Sequence, residues 1–373
     1  MGQKYIYGVV RADRDADLEA PGIGGSPVHI LTQQGLGCVL SDYSGQEFAT
    51  LSKEEAIRCL LAHQAVVEKV MEAHSVLPVK FGTIVPGEPE ARAFLSQGSR
   101  ILPDILMRLQ DKIEVEVAAT WDTSQVLREL ASHLEEIVRA KAAITALPPG
   151  EAVRLQIRLG QIMKEALDQR RADYRDRMLA FLKPLAQDVQ SNVLVSDQMV
   201  MNVAFLVQKS RQSEFDSYVN QLNDLFHDQI NFRVIGPLPP YSFATVEITR
   251  PHWERLEEAR KLLRLSEHIS EPQVRSAYRH MAAENHPDIN TGDGAAKVGY
   301  LVRLREASEM LLAYCRGQAV PSEAKRSYPI TAEAVKQAIL INVKRPAGEN
   351  MEQPHAGGIS GKRTWEWGYG AVS

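Results

Sequence analysis

The chain has 373 residues, more than a single hydrophobic core usually organises, so two or three domains are expected. Its 44% hydrophobic and 24% charged residues are ordinary for a globular protein, and a net charge of −4 gives nucleic acid or an anionic membrane no electrostatic hold on the whole molecule. Three scattered cysteines without a C-x-x-C pair argue against a disulfide framework or zinc knuckle and fit a reducing cytosol, and no uncharged apolar run reaches the ~18 residues of a membrane span.

KYIYGVV, Lys4 to Val10, is rich in aromatic and β-branched residues and reads as a strand. VHILT and GCVLS read as two more, joined by QQGLG as a hairpin connection. PGIGGSP, Pro21 to Pro27, is a loop and no nucleotide cradle: Pro27 stands where a third glycine is needed, and the segment precedes a strand. Between Lys53 and Ser75, Ile57, Leu60, Leu61, Val67, Val70 and Met71 recur at helical spacing, with His63 at the edge of the stripe as a boundary residue. VLPVKFGTIV returns to strand, EPEARAFLSQ and ILPDILMRLQ read as helices, and IEVEVAA alternates as a half-buried strand. Residues 1–122 are thus expected to form an α+β domain, with helices on one face of a mainly antiparallel sheet.

Thr123 to Leu147 reads as one helix, PPG at Pro148 to Gly150 breaks it, and Glu151 to Leu185 is helical again up to Pro184, giving a helical insert over 123–187. RRADYRDR within it reads as a solvated face. A second sheet unit, 188–250, follows: strands DVQSNVLV and MVMNVAFLV, a helix with Phe215, Val219, Leu222 and Phe226 on one face, then NFRVIG and SFATVEI. The fold class is α+β, two ferredoxin-like units around a helical insert.

After Arg250 the pattern is wholly helical, over 251–317. Leu256, Leu262 and Leu263 mark a first helix. Ser270 with Gln273 forms a capping box that opens a second, with Pro272 in its first turn. A third carries Leu301, Leu304, Leu311, Leu312 and Cys315 at spacings of three and four. Residues 318–373 lose periodicity and read as a flexible tail in which AEAVKQAILINVKR forms a short docking helix; the closing TWEWGYG is unusually aromatic.

His286, Pro287 and Asp288 stand between the second and third helices. They do not make a metal site, since proline offers no donor and no further His or Cys ligand is near. No nucleophile lies beside the histidine at motif spacing. Pro287 does enforce a helix stop. In context, VRSAYRHMAAENHPDINTGD with YLVRLREASEMLLAY downstream resembles the J-domain of DnaJ-type co-chaperones, over about Glu254 to Gln318. That resemblance implies that His286, Pro287 and Asp288, with Arg275 and Arg279 one turn apart on the second helix, engage a DnaK-type chaperone. Glu284 adds an opposing charge to that face.

YIYGVV, GIGGSPVHILTQQGLGCVLSD, HQAVVEKVMEAHSVLPVKFGTIV and INFRVIGPLPPYSFATVEI, covering nearly Met1 to Arg250, resemble the gas vesicle protein L and F family. The resemblance implies a two-domain α/β accessory protein that binds the small hydrophobic shell protein, works with other gas vesicle accessory proteins, and resides at the gas vesicle in the cytoplasm. Read from the residues, VLPVKFG and GPLPPYSF are stiff, proline-bounded turn and core devices that would also offer an apolar rim to a hydrophobic partner, through Leu77, Pro78, Phe81, Pro240 and Tyr241. No catalytic residue, metal or cofactor is expected, and neither nucleic acid nor membrane is a partner. A competing class is a small-molecule or haem-binding enzyme on a ferredoxin-like fold, for which no convergent His, carboxylate and nucleophile set appears. A third version keeps the vesicle role and makes the J-like unit a structural clip.

Overall fold

The computed structural model describes residues 2–45, 48–145, 152–227, 229–285, 294–317 and 327–344. The first part runs β1 (Gln3–Arg11), β2 (Ala16–Pro21), β3 (Pro27–Gln33), β4 (Leu36–Tyr43), α1 (Lys53–Ala73), β5 (Leu77–Pro78), β6 (Ile84–Val85), α2 (Glu88–Gly98) and α3 (Leu102–Arg108). Its sheet has the order β2-β3-β4-β1-β5, with β6 also paired to β1. All six residues from Tyr5 to Val10 are buried, which explains a continuous apolar run in place of alternation: both faces of β1 are covered. On one face Tyr5, Tyr7, Val28, Ile30 and Val39 meet Val66, Val67 and Val70 of α1. On the other, Ile6, Val9, Leu31, Cys38 and Leu40 meet Ala91, Phe94 and Leu95 of α2 and Leu102 and Leu106 of α3. The expectation of helices on one face is therefore corrected; a helical stripe reveals that a face is buried, not which side of the sheet buries it.

The order also differs from a ferredoxin-like one, because β1 leads through strands to β4 with no intervening helix crossing. The polar strand β2 escaped the sequence pattern for a simple reason: it is the edge, and only Leu18 and Ala20 are even half-buried. β1 carries a register shift between Ile6 and Gly8. A Cβ on Gly8 would stand 2.9 Å from Val76 Cγ2 and 3.3 Å from the Leu77 carbonyl oxygen, so glycine is what lets β5 cross so closely. The expected single strand over VLPVKFGTIV is broken by a turn at Phe81 and Gly82, the latter at φ +85°. Helix α1 opens on the pair Ser52 and Glu55: the Glu55 N–H donates to Ser52 Oγ at 3.3 Å, and the Ser52 N–H to Glu55 Oε2 at 3.0 Å.

The second part comprises β7 (Lys112–Thr120), α4 (Thr123–His133), α5 (Glu135–Thr145), α6 (Val153–Leu182), β8 (Asp188–Ser191), β9 (Met199–Gln208), α7 (Gln212–Phe226) and β10 (Asn231–Leu238). These four strands form an antiparallel sheet of order β10-β7-β9-β8. The division at 122/123 is thus corrected at the sheet level: β7, before the helical insert, is a central strand of the sheet completed after it. Ile113, Val115 and Val117 of β7 share a core with Val203 and Phe205 of β9, Met178 and Leu182 of α6, and Phe215, Val219, Leu222 and Phe226 of α7. The single helix expected from Thr123 to Leu147 is two, parted where Leu134 takes an extended ψ of 111°. Neither glycine nor proline marks that break.

The third part is β11 (Thr245–Thr249), α8 (Trp253–Leu262), β12 (His268–Ile269), α9 (Glu271–Glu284), α10 (Gly294–Gly317), β13 (Tyr328–Pro329), α11 (Ala332–Gln337) and β14 (Leu340–Lys344). Leu256, Val274, Met281, Leu304, Leu311 and Tyr314 join α8, α9 and α10 around one core. Arg316, at the end of α10, lies 3.7 Å from Glu271 at the start of α9, which sets the two helices antiparallel. Helix α9 opens on the anticipated capping box of Ser270 and Gln273, in which the Ser270 N–H donates to Gln273 Oε1 at 2.9 Å.

The expectation of a flexible tail from 318 onward is corrected over 327–344. Ile330, Val335 and Ala338 are buried in the helical core, and Ile339 in the core of the first sheet. The proposed docking helix is helical only over α11. The Leu-Ile-Asn-Val-Lys that follows, Leu340–Lys344, is strand β14, paired antiparallel with β11 from Thr245↔Lys344 to Thr249↔Leu340. β11, placed in the second unit by sequence, belongs instead with the first sheet, which it meets through a parallel bridge from Val79 to Val246. TWEWGYG lies outside the described residues.

Candidate functional site

The two proline-bounded segments, far apart in sequence, meet at the joint between the sheets. The Val79 N–H donates to the Tyr7 carbonyl at 3.0 Å, and the Lys80 N–H to the Val246 carbonyl at 2.8 Å. Below this, Glu114 of β7 is 1% exposed, and its carboxylate accepts from the Ser242 N–H at 2.8 Å and the Ser242 hydroxyl at 2.6 Å. A buried carboxylate is tolerated where such donors replace water. Leu77, Pro78 and Pro240 are buried, and Phe81 and Tyr241 half-buried. The expected exposed apolar rim is therefore corrected: these residues build the joint, and only Phe81 and Tyr241 present an edge to solvent.

Phe81 and Tyr241 border an aromatic cluster around His63, which sequence placed at a boundary and the structure leaves 1% exposed. The ring centroids of Tyr7, Phe81 and Tyr241 lie 5.6, 5.7 and 6.4 Å from that of His63. The Gly82 N–H donates to the Tyr5 hydroxyl at 3.0 Å, leaving the hydroxyl to donate to His63 Nδ1 at 2.9 Å. The imidazole proton then sits on Nε2, which has no hydrogen-bond partner among the described residues. Burial pushes the His63 pKa down to about 4 and raises that of Tyr5 far above its usual value, so both are neutral at pH 7. Packed against Tyr7, Phe81 and Tyr241 and accepting from Tyr5, the neutral ring serves packing and hydrogen bonding. Among the described residues no group of three or more His, Cys, Asp or Glu is placed to hold a metal ion.

The most exposed aliphatic side chains among the described residues lie elsewhere. Sequence read DVQSNVLV as one strand, but β8 stops at Ser191, and the loop beyond it leaves Val193 and Val195 80% exposed and Leu194 39%. Its base is fastened: the Asp197 carbonyl accepts from Trp121 Nε1 at 3.2 Å, Thr123 Oγ1 at 3.2 Å and Arg171 Nη2 at 3.1 Å. Asn202 Nδ2 donates to the Val193 carbonyl at 3.1 Å. The tip is thus a small apolar surface on a held base. The signal that marks it in the sequence is a third consecutive aliphatic, Val195, immediately before Ser-Asp, where strand alternation has already failed.

On the helical part, Arg275 and Arg279 are exposed on α9. Arg275 lies 3.7 Å from Glu271, and Arg279 Nε donates to the Arg275 carbonyl at 3.4 Å. His286, Pro287 and Asp288 lie outside the described residues.

The joint, the buried aromatic cluster and the apolar loop all sit in the part of the chain that a known family covers. The model of the family described as "Gas vesicle synthesis protein GvpL/GvpF" matches residues 3–245. The chain belongs to this family. Gas vesicle protein F of Streptomyces sp. (strain CB03234) is 30% identical over 242 residues, 64% of this chain and 98% of that protein. Gas vesicle protein L1 of Halobacterium salinarum is 22% identical, over 65% of this chain and 90% of its own length. The crystal structure of GvpF from Anabaena sp. PCC7120 shares the fold, with a TM-score of 0.58 at 22% identity over 65% of this chain and 98% of that one. GvpF from Microcystis aeruginosa gives 0.54 at 24% identity over the same shares. Family membership places the chain among proteins of gas vesicle formation. Among the described residues no helix is long and apolar enough to cross a membrane.

Proposed function

We propose that this GvpL/GvpF family member is a non-enzymatic assembly factor that holds the hydrophobic gas vesicle shell protein on its α/β body and recruits a DnaK-type chaperone through a J-like helical module. A shell whose inner face excludes water is built from subunits that expose apolar surface before assembly, and such surface aggregates unless escorted. The observation that carries the first half, beside the family itself, is the loop at Val193–Val195, an aliphatic tip fastened at its base and so able to take an apolar partner with little ordering cost. The edge formed by Phe81 and Tyr241 is a secondary candidate contact. The strand order β10-β7-β9-β8, fourth-first-third-second within its own unit, supports reading residues 112–238 as ferredoxin-like.

The second half is supported by the order of a short helix, a helix with Arg275 and Arg279 exposed, and a long antiparallel third helix, with the His-Pro-Asp tripeptide in the sequence between the last two. The aromatic packing of His63 speaks for a structural role over acid–base work, against the enzyme alternative. Co-purification of the tagged full chain from vesicle-forming cells, with the bound chains identified, tests both halves. The major shell protein and a DnaK-type chaperone are expected, and His286→Gln removes only the chaperone and its stimulated ATP turnover. Absence of shell protein overturns the first half. A wild-type chain that fails to stimulate the chaperone reduces the module to a clip.

A further inference from the structure

The acceptor strand β11 and its partner β14 come from different parts of the protein's architecture. The core that β11 and β14 pack against, which includes Val79, Phe94, Leu95 and Leu102, is built mostly from residues within the family match, and β11 begins where that match ends. The occupant comes from some ninety residues further on, in a part of the chain that relatives covered over 98% of their length do not share. Ile339 is 5% exposed in that groove, and Ile341 and Val343 pack against the same core. The Ile341 Cδ1 lies 3.4 Å from the position a Cβ on Gly98 would take, so α2 forms one wall; the glycine itself is required by Leu102, whose Cδ1 would clash with that Cβ. Asn342, between them, is exposed. On its other side β11 is already held by the first sheet, through the Val79–Val246 bridge and the Lys80 N–H. Without β14, β11 would be an edge strand above an open apolar groove, the arrangement that accepts an added strand.

We propose that this groove is a strand-accepting site, that β14 is its built-in occupant, and that an extended segment with aliphatic residues at alternate positions, contributed by the hydrophobic shell subunit, displaces it. The identity of that partner rests on the functional reading above; the groove and its occupant do not. β14 is short, five residues, and its exchange gives up the packing of Leu340 against the helical core while leaving Ile330 and Val335 of that core in place.

The test uses the full chain and a labelled peptide of residues 338–344 as probe, read by fluorescence anisotropy and by hydrogen exchange at Glu247 and Thr249, whose amides face β14 because that of Val246 is turned to the first sheet. Ile341→Asp with Val343→Asp is expected to expose those amides and bind the peptide at least ten-fold more tightly than the wild type, with protection restored on binding. Exposed amides without peptide binding overturn the proposal. If the double variant does not fold, a protease site placed within 318–326 is cut after folding instead; uptake of the peptide by the cut chain alone supports the proposal, and no uptake overturns it. Shell protein that displaces the peptide supports the named occupant. Shell protein retained without displacing it overturns that occupant and leaves the assembly function standing, whereas no retention removes both.

Discussion

His63 shows how one buried side chain makes stability depend on pH. Its only described hydrogen bond is to Tyr5, and burial holds its folded pKa at about 4, below the 6.5 of the exposed ring. At pH above 6.5 neither folded nor unfolded chain is protonated there, and no difference arises. As pH falls from 6.5 toward 4, the unfolded chain takes up a proton the folded one refuses, and stability is lost, reaching about 3 kcal/mol below pH 4. Tyr5, Tyr7 and Cys59, whose pKa values burial raises, keep their protons throughout that window. Urea unfolding at pH 7.5 and 4.5 should show a steeper loss for the wild type than for His63→Phe; equal losses would contradict the burial of a neutral ring. This burial was not legible from helical periodicity, which puts residue 63 beside the stripe: the aromatic residues that cover it come from β1, the Phe81 turn and Tyr241.

Among elements, the joint between the sheets depends on a single carboxylate of β7 that reaches the GPLPPYSF turn. Glu114→Ala would leave the Ser242 N–H and hydroxyl without that acceptor, and a destabilisation of about 3 kcal/mol is expected in urea denaturation. A change below about 0.5 kcal/mol, the usual surface value, would show that water satisfies the turn. Helices and strands with strong local patterns, such as α7 with its four buried apolar residues and the two central strands β1 and β9, were readable from sequence alone. What escaped was set by distant partners. Polar β2 is a strand because β3 offers it an edge, the break at Leu134 carries no glycine or proline, and β14 is extended because β11 waits for it. Leu77, Pro78 and Pro240 read as apolar and stiff, yet local sequence cannot tell an exposed rim from the buried joint they occupy.

At the scale of the whole molecule, the helical module is closed onto the body at both ends. The chain enters it from β11 and returns as β14 on the same strand, so a chaperone recruited at the module would stand beside the body and whatever it holds. For the same reason, cutting the chain at residue 250 is a poor way to divide the two roles, since it strips Ile339, Ile341 and Val343 from the core of the first sheet. Surface substitutions on the body are cleaner. The most direct measurement is retention of purified major shell protein by the immobilised full chain, compared with Val193→Asp plus Val195→Asp. Both valines are 80% exposed, so the variant should melt within a few degrees of the wild type. Retention by the wild type and at least a ten-fold loss in this equally folded variant is the predicted result. Equal retention by the two, or none by either, would contradict the account.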